Sequence, residues 1–334
     1  MTDRAPVRKL GDFSGQALCG YFEETLECAL ATQQTLGFNV DCVVPNTLLH
    51  DEDGNAWLLY RFTDYKGSAG LMISTNAEGR KLNEPHPIAA KAYGGLVEQK
   101  IEGDSHVIRP LNPFGPAPAE ENSFFYRRSL KEIEWREGDF LSLTGTRMCP
   151  AKSWFDFDAQ GGWGFASFIS RVSGTLLGRK VNGFSEFAVQ YMPPGQSLIA
   201  EYRKKCSSWM IICNEYDNGE YDFGHIGLIA SGSRFGMIAD QNGPRRASTN
   251  VDFEAYVNAD GFPEKLIYTV DGEPWIWRPY ANGDVGSIAN PVVRDRIGVG
   301  QREGDTRVPR NSYGWVNFFN NEVLAPYIKP YQGE

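Results

Sequence analysis

Four side chains in this sequence have the types and settings for proton transfer: Asp156, Glu186, Asp222 and His225. Asp156 lies in the stretch SWFDFDAQGGWGFASF (153–168), where carboxylates alternate with large aromatics and glycines. In a strand, residues of one parity share a face, so Trp154, Asp156 and Asp158 point one way and Phe155 and Phe157 the other. On an outer wall such acids are solvated. On an inner wall, an acid beside an indole has a raised pKa and can donate a proton. Proton donation to an alkene or enol is what a hydratase, isomerase or cyclase for apolar substrates needs.

His225 sits in NEYDNGEYDFGHIGLI, directly after Gly224, in an otherwise apolar strand. The chain has only four histidines, so each is informative as a proton shuttle. Tyr221, Phe223 and His225 share one parity and Asp222 takes the other. A satisfied core or surface histidine is the plain alternative. His50 reads as a hairpin residue and His86, between two prolines, as loop. Around these groups, Trp154, Trp163, Tyr191, Trp209, Tyr256 and Trp277 are candidates to shape an apolar cavity and to steady developing positive charge by cation–π contact.

The elements that must hold these residues read as strands. Aromatics make up 13% of the 334 residues and there are 36 glycines, a composition that leans towards all-β. Asn-Gly and Asp-Gly signals recur every 8–15 residues, a spacing that suits antiparallel barrels or sandwiches. NTLLHDEDGNAWLLYRF is a hairpin, and its acidic turn lacks the later ligands of a calcium loop. The Pro-rich stretch 110–122 is a loop. Leu18, Phe22, Leu26 and Leu30 recur every four residues and predict a helix within 12–36, against the rival reading of a strand through 21–31. At this length two domains are expected, residues 1–172 and 173–334, each suited to one barrel.

Several classes are disfavoured. The net charge of −9 argues against nucleic acid or an anionic membrane as partner. No apolar run is long enough for a membrane span, and the start has no signal-like apolar segment. With six scattered cysteines and no CxxC pair, reduced thiols in a cytoplasmic protein are expected. No metal and no cofactor are expected, since zinc spacings, P-loop and dinucleotide fingerprints are missing from the sequence. The expected partner is a hydrophobic small molecule, with a homodimer as the only protein assembly considered.

Gly174-Thr175-Leu176, then Asn182-Gly183-Phe184, then ADGFPEKLIYTVDGEPW late in the chain, carry a resemblance. The sequence resembles the tandem lipocalin-like proteins of the carotenoid 1,2-hydratase and AttH type. That resemblance implies two consecutive antiparallel lipocalin-like β-barrels with few short helices, and an apolar cavity in or between them. Many members carry an Arg-Asp-His-Ser-Trp-Gly-like run where this chain reads GFSEFAVQY, with Glu186 and Tyr191 but no histidine. No catalytic residue carries over. The function expected is acid–base catalysis on a hydrophobic small molecule: hydration, isomerisation or cyclisation. A non-catalytic carrier and a β-sandwich glycan-active protein are the alternatives.

Overall fold

A computed structural model of the chain describes residues 15–64, 67–112, 114–116, 118–158, 162–285, 294–319 and 321–333. The fold is almost entirely β. The first sheet has fourteen strands: β1 Gly15–Phe22, β2 Gln34–Thr35, β3 Phe38–Asp51, β4 Ala56–Tyr60, β5 Thr63–Asp64, β6 Met72–Thr75, β7 Val97–Glu102, β8 Ser105–Pro110, β9 Phe124–Arg128, β10 Glu132–Glu137, β11 Leu141–Arg147, β12 Ala151–Asp158, β13 Trp163–Leu176 and β14 Arg179–Met192. A single α-helix, α1 (Leu198–Lys205), leads into the second sheet. Its ten strands are β15 Cys206–Tyr216, β16 Tyr221–Ile229, β17 Arg234–Asp240, β18 Gly243–Ser248, β19 Val251–Val257, β20 Pro263–Val270, β21 Glu273–Asp284, β22 Arg296–Arg302, β23 Pro309–Phe318 and β24 Ile328–Pro330.

Along its main path the first sheet runs β6-β4-β3-β14-β13-β11-β10-β9-β8-β7, and β12 adds β1 beside β13. The second runs β18-β17-β16-β15-β23-β22-β21-β20-β19-β24. All pairs are antiparallel except β19 with β24. Both sheets curl into half-barrels, as two consecutive β-barrels require. The expected division at 172/173 falls inside β13, which pairs with β11, β12 and β14 of the first sheet. The change of sheet comes between Met192 and Cys206, where α1 intervenes.

The helix expected within 12–36 is instead β1, followed by a 3₁₀ turn at Leu26–Ala29. A four-residue recurrence is also a multiple of two, so the same pattern serves a strand. β1 pairs with β12 along its whole length, from Gly15↔Asp158 to Phe22↔Ala151. That ladder overrides the helical preference.

Hydrophobic side chains form three layers. Val43, Leu49, Phe155, Phe168, Phe187 and Val189 belong to the core inside the first half-barrel. Met210, Ile212, Ile226, Leu228, Trp277 and Val316 belong to the core inside the second. Between the sheets lies a third layer, to which both contribute: Val44, Trp154, Trp163 and Phe165 from the first, Trp209, Phe235 and Met237 from the second. The central strands are therefore buried on both faces, and β15 is buried at every position.

Tight turns set the register. β13 and β14 are joined by Leu177 (φ 53°) and Gly178 (φ 77°), two left-handed residues of the kind that match strand twist. The turn is thus Leu177-Gly178. The acidic hairpin at 51–55 forms as expected: the Asp51 carboxylate accepts from the backbone N–H of Asp53 and Asn55 and from Trp57 Nε1.

Candidate functional site

Strand β12 resolves the parity question by burying both faces. Phe155 packs inside the first half-barrel against Phe38 and Tyr191. Lys152, Trp154 and Asp156, of the other parity, are all buried on the face turned to the second sheet. Trp154 stacks on Phe235 at 4.7 Å and meets Trp163 edge-on at 4.7 Å. Trp209 of β15 stacks on Trp163 at 5.8 Å, and its ring lies 5.3 Å from His225. Phe165 flanks the imidazole from another side, also at 5.3 Å. Gly162 immediately precedes β13: its φ is +79°, and a Cβ there would sit 2.1 Å from the Asp156 carbonyl oxygen. The Asp158 side chain and residues 159–161 lie outside the described residues.

Two of the four predicted acid–base residues meet at this aromatic wall. Glu186 comes from β14 of the first sheet and His225 from β16 of the second, and Nε2 of His225 lies 3.0 Å from Glu186 Oε1. The same oxygen accepts from Ser167 Oγ at 2.5 Å, and Oε2 accepts from Asn46 Nδ2 at 3.2 Å. Tyr313 of β23 donates to Asn46 Oδ1. Glu186 is thus held from three strands at once: β3, β13 and β16.

Burial pushes the His225 pKa down, as does the positive charge of Lys152, and the attraction of Glu186 does not reverse this. Burial acts to raise Glu186, but His225, the Ser167 hydrogen bond and Lys152 outweigh it and hold the carboxyl below its ordinary range. For this buried pair we assign an anionic Glu186 beside a neutral His225, because burial of the imidazole outweighs the attraction of the carboxylate. The tautomer assigned from the contact is Nε2–H towards Glu186. That leaves Nδ1 without a proton; Nδ1 is buried and, among the described residues, neither ring nitrogen makes a fully aligned hydrogen bond, so the 3.0 Å approach to Glu186 is what assigns the tautomer. An imidazole oriented by a carboxylate in this way has the arrangement that general-base chemistry uses.

Lys152, Ser167, Asn46 and Tyr313 were not singled out in the sequence. Lys152 is almost completely buried, and its Nζ has no hydrogen-bond partner among the described residues. It stands opposite Ser167 in the β12–β13 register. Its signal was available in the parity that it shares with Trp154 and Asp156, but a lysine at the start of a strand reads as solvated.

The other predicted residues lie elsewhere. Asp156 is on the same face as Lys152 but four residues along β12, about 13 Å further on at ordinary strand rise. Asp222 faces the opposite side of β16 from His225. There Tyr216 OH donates to its Oδ2 at 2.7 Å and Arg307 Nη2 at 3.0 Å, beside a polar recess of about 370 Å³. Tyr191 points into the first half-barrel and donates to the Cys28 carbonyl at 2.8 Å. It borders an apolar recess of about 330 Å³ near β1. Trp277 is core of the second half-barrel and donates to the Gly314 carbonyl at 3.0 Å. Tyr256 is half-buried on β19 and donates to Glu254 at 2.9 Å. Trp154, Trp163 and Trp209 do share one wall with the Glu186–His225 pair. Among the described residues no cluster of His, Cys, Asp and Glu has metal-site geometry, and no helix is long and apolar enough to cross a membrane.

No family model matches the chain, and no curated protein matches it. Solved structures similar to it are lipocalin-like tandem-barrel proteins. Kievitone hydratase from Nectria haematococca aligns at 12% identity over 84% of this chain and 90% of its own, with a TM-score of 0.44. CghA aligns at 10% identity over 91% and 97%, also at 0.44. CghA with Sch210972 aligns at 11% over 83% and 87%, at 0.41.

Proposed function

We propose that this protein is a cofactor-independent acid–base enzyme acting on a hydrophobic small molecule, by hydration, isomerisation or cyclisation, at the junction of its two sheets. The observation that carries the reading is the 3.0 Å contact between Glu186 and His225 within a wall of Trp154, Trp163, Phe165 and Trp209. His225 Nδ1 is the base. Glu186 is a positioning residue that fixes the tautomer and stabilises the imidazolium once the proton is taken. The indoles bind apolar carbon and favour developing positive charge. An aromatic, water-poor setting suits a terpenoid, polyketide or aromatic substrate better than a sugar.

One observation favours a second reading. His225 has no solvent exposure. A pair buried to this degree also pins the two sheets together, as a ligand carrier without chemistry would need. The test is to incubate the protein with α,β-unsaturated ketones and isoprenoid alkenes in deuterated water and follow deuterium gain or product mass. The expected result is turnover that falls about 10²–10⁴-fold in His225→Gln, with the fold intact by circular dichroism. Undiminished turnover in that variant, or bound but unchanged ligand in the wild type, gives the site to the second reading.

A further inference from the structure

The geometry points to Asp295 as the proton donor that works opposite His225 at the same intersheet site. This rests on the proposed function and adds the acid to its base. Asp295 immediately precedes β22. Its Oδ2 accepts from Asn317 Nδ2 at 2.6 Å and from Trp315 Nε1 at 3.3 Å. Along β23, Val316 and Phe318 point into the second core. Tyr313, Trp315 and Asn317, of the other parity, point to the first sheet, and they take Asp295 with them.

The facing surface of the first sheet connects this acid to the base. Asn46, which holds Glu186, is directly opposite Tyr60 in the β3–β4 register. Asn46 receives the hydroxyl of Tyr313, and the Tyr60 ring meets Trp315 edge-on at 5.9 Å. Two residues of the first sheet thus sit against two of the second, with Glu186 and His225 at one end and Asp295 at the other. Tyr60 lies within electrostatic reach of both carboxyls.

The surroundings suit an acid. Asp295 Oδ1 is buried with no hydrogen-bond partner among the described residues. Burial drives its carboxyl up to about 8, against the hydrogen bonds from Asn317, Trp315 and the Phe318 backbone, and Asp284 adds to the rise. Among the described residues, Asp284 adds to the rise and Tyr60 lies within reach of its charge. A carboxyl whose pKa burial raises and an imidazole whose pKa burial lowers then take the roles of donor and acceptor.

The step balances without any co-reactant other than water. The Asp295 O–H bond breaks and its proton adds to an alkene carbon or carbonyl oxygen of the substrate. His225 Nδ1 removes a proton from substrate carbon in isomerisation or cyclisation, or from the adding water in hydration. Exchange with solvent then reprotonates Asp295 and frees His225.

Three variants test this. The carboxyl carbon of Asp295 is read by NMR in aspartate-labelled protein, assigned by its loss in Asp295→Asn. A neutral carboxyl at neutral pH is expected, and an ionised one overturns the proposal whether or not turnover is found. With the ketone and alkene panel, Asp295→Asn is expected to lose about 10²-fold or more in kcat together with the basic limb of the pH profile. Full activity in Asp295→Asn with a dead His225→Gln overturns the donor and leaves the base standing; full activity in His225→Gln overturns the site reading itself. Should Asp295→Asn not fold, Trp315→Phe removes one lowering hydrogen bond and must move the basic limb to higher pH. An unmoved limb overturns the proposal.

Discussion

At the scale of single residues, the site is a carboxylate and an imidazole on opposite sheets. Glu186 and His225 were legible as candidates because each is a polar residue inside an apolar strand, and histidine is rare in this chain. That they meet was not legible, since 39 residues and a change of sheet separate them. Lys152 and Asp295 escaped notice because their neighbours, AKSW and VVRDR, read as exposed termini of strands. The hydroxyl of Ser167 supplies the shortest bond to Glu186. Ser167→Ala is expected to cost about 1–3 kcal/mol by leaving a buried acceptor short of a donor, and to raise the Glu186 pKa. Urea unfolding of the variant measures the first effect.

At the scale of elements, alternation and turn signals predicted strands and hairpins well, because they depend on local chemistry. The β3–β4 hairpin and the β20–β21 turn at Asp271-Gly272 form where Asp-Gly signals stand. The expected helix within 12–36 failed because β1 gains a full ladder on β12, a long-range partner that no local pattern reveals. The parity argument for β12 separated its two faces correctly. Of the two walls it left open, the solvated one does not occur at Trp154 and Asp156, because a second sheet covers that face. Leu177 holds a positive φ that suits Asn or Gly better than a branched apolar residue. Leu177→Asn is expected to leave the structure unchanged and to stabilise it by up to about 1 kcal/mol in chemical denaturation. Trp154→Ala, by contrast, opens a cavity in the layer between the sheets and is expected to cost about 3–5 kcal/mol by the same measurement.

At the scale of the whole molecule, two half-barrels share an interface that is a core and, in the function proposed, the reaction site. The two-barrel fold was readable from turn spacing and resemblance. Where the chain passes from one sheet to the other was not, because β13 runs on through residue 172 and pairs with β14 in the same sheet. The buried titratable groups give the molecule a defined pH response. His50, His86, His106 and His225 all have pKa values lowered chiefly by burial, His106 to about 3. As pH falls below about 6.5 the unfolded chain binds protons that these folded histidines refuse, so stability falls. Asp295 acts in the opposite sense: its folded carboxyl keeps a proton that the unfolded chain releases near pH 4, so stability falls as pH rises towards about 8. Asp222 and Glu137, also raised by burial, have the same sign as Asp295. Histidines dominate on the acid side and Asp295 on the alkaline side. The melting temperature is expected to peak near pH 6.5, and Asp295→Asn is expected to flatten the alkaline limb and to steepen the acid one, since its contribution falls from about pH 4 to about pH 8.

The account turns on His225 being a neutral base whose Nε2–H is held by Glu186. The most direct measurement is the pair of ¹⁵N ring shifts of His225 in histidine-labelled protein near neutral pH, assigned by their loss in His225→Gln. The prediction is a neutral ring with Nε2 protonated and Nδ1 bare, and a tautomer balance that changes in Glu186→Gln. A ring that is cationic at neutral pH, or one protonated at Nδ1, would contradict it.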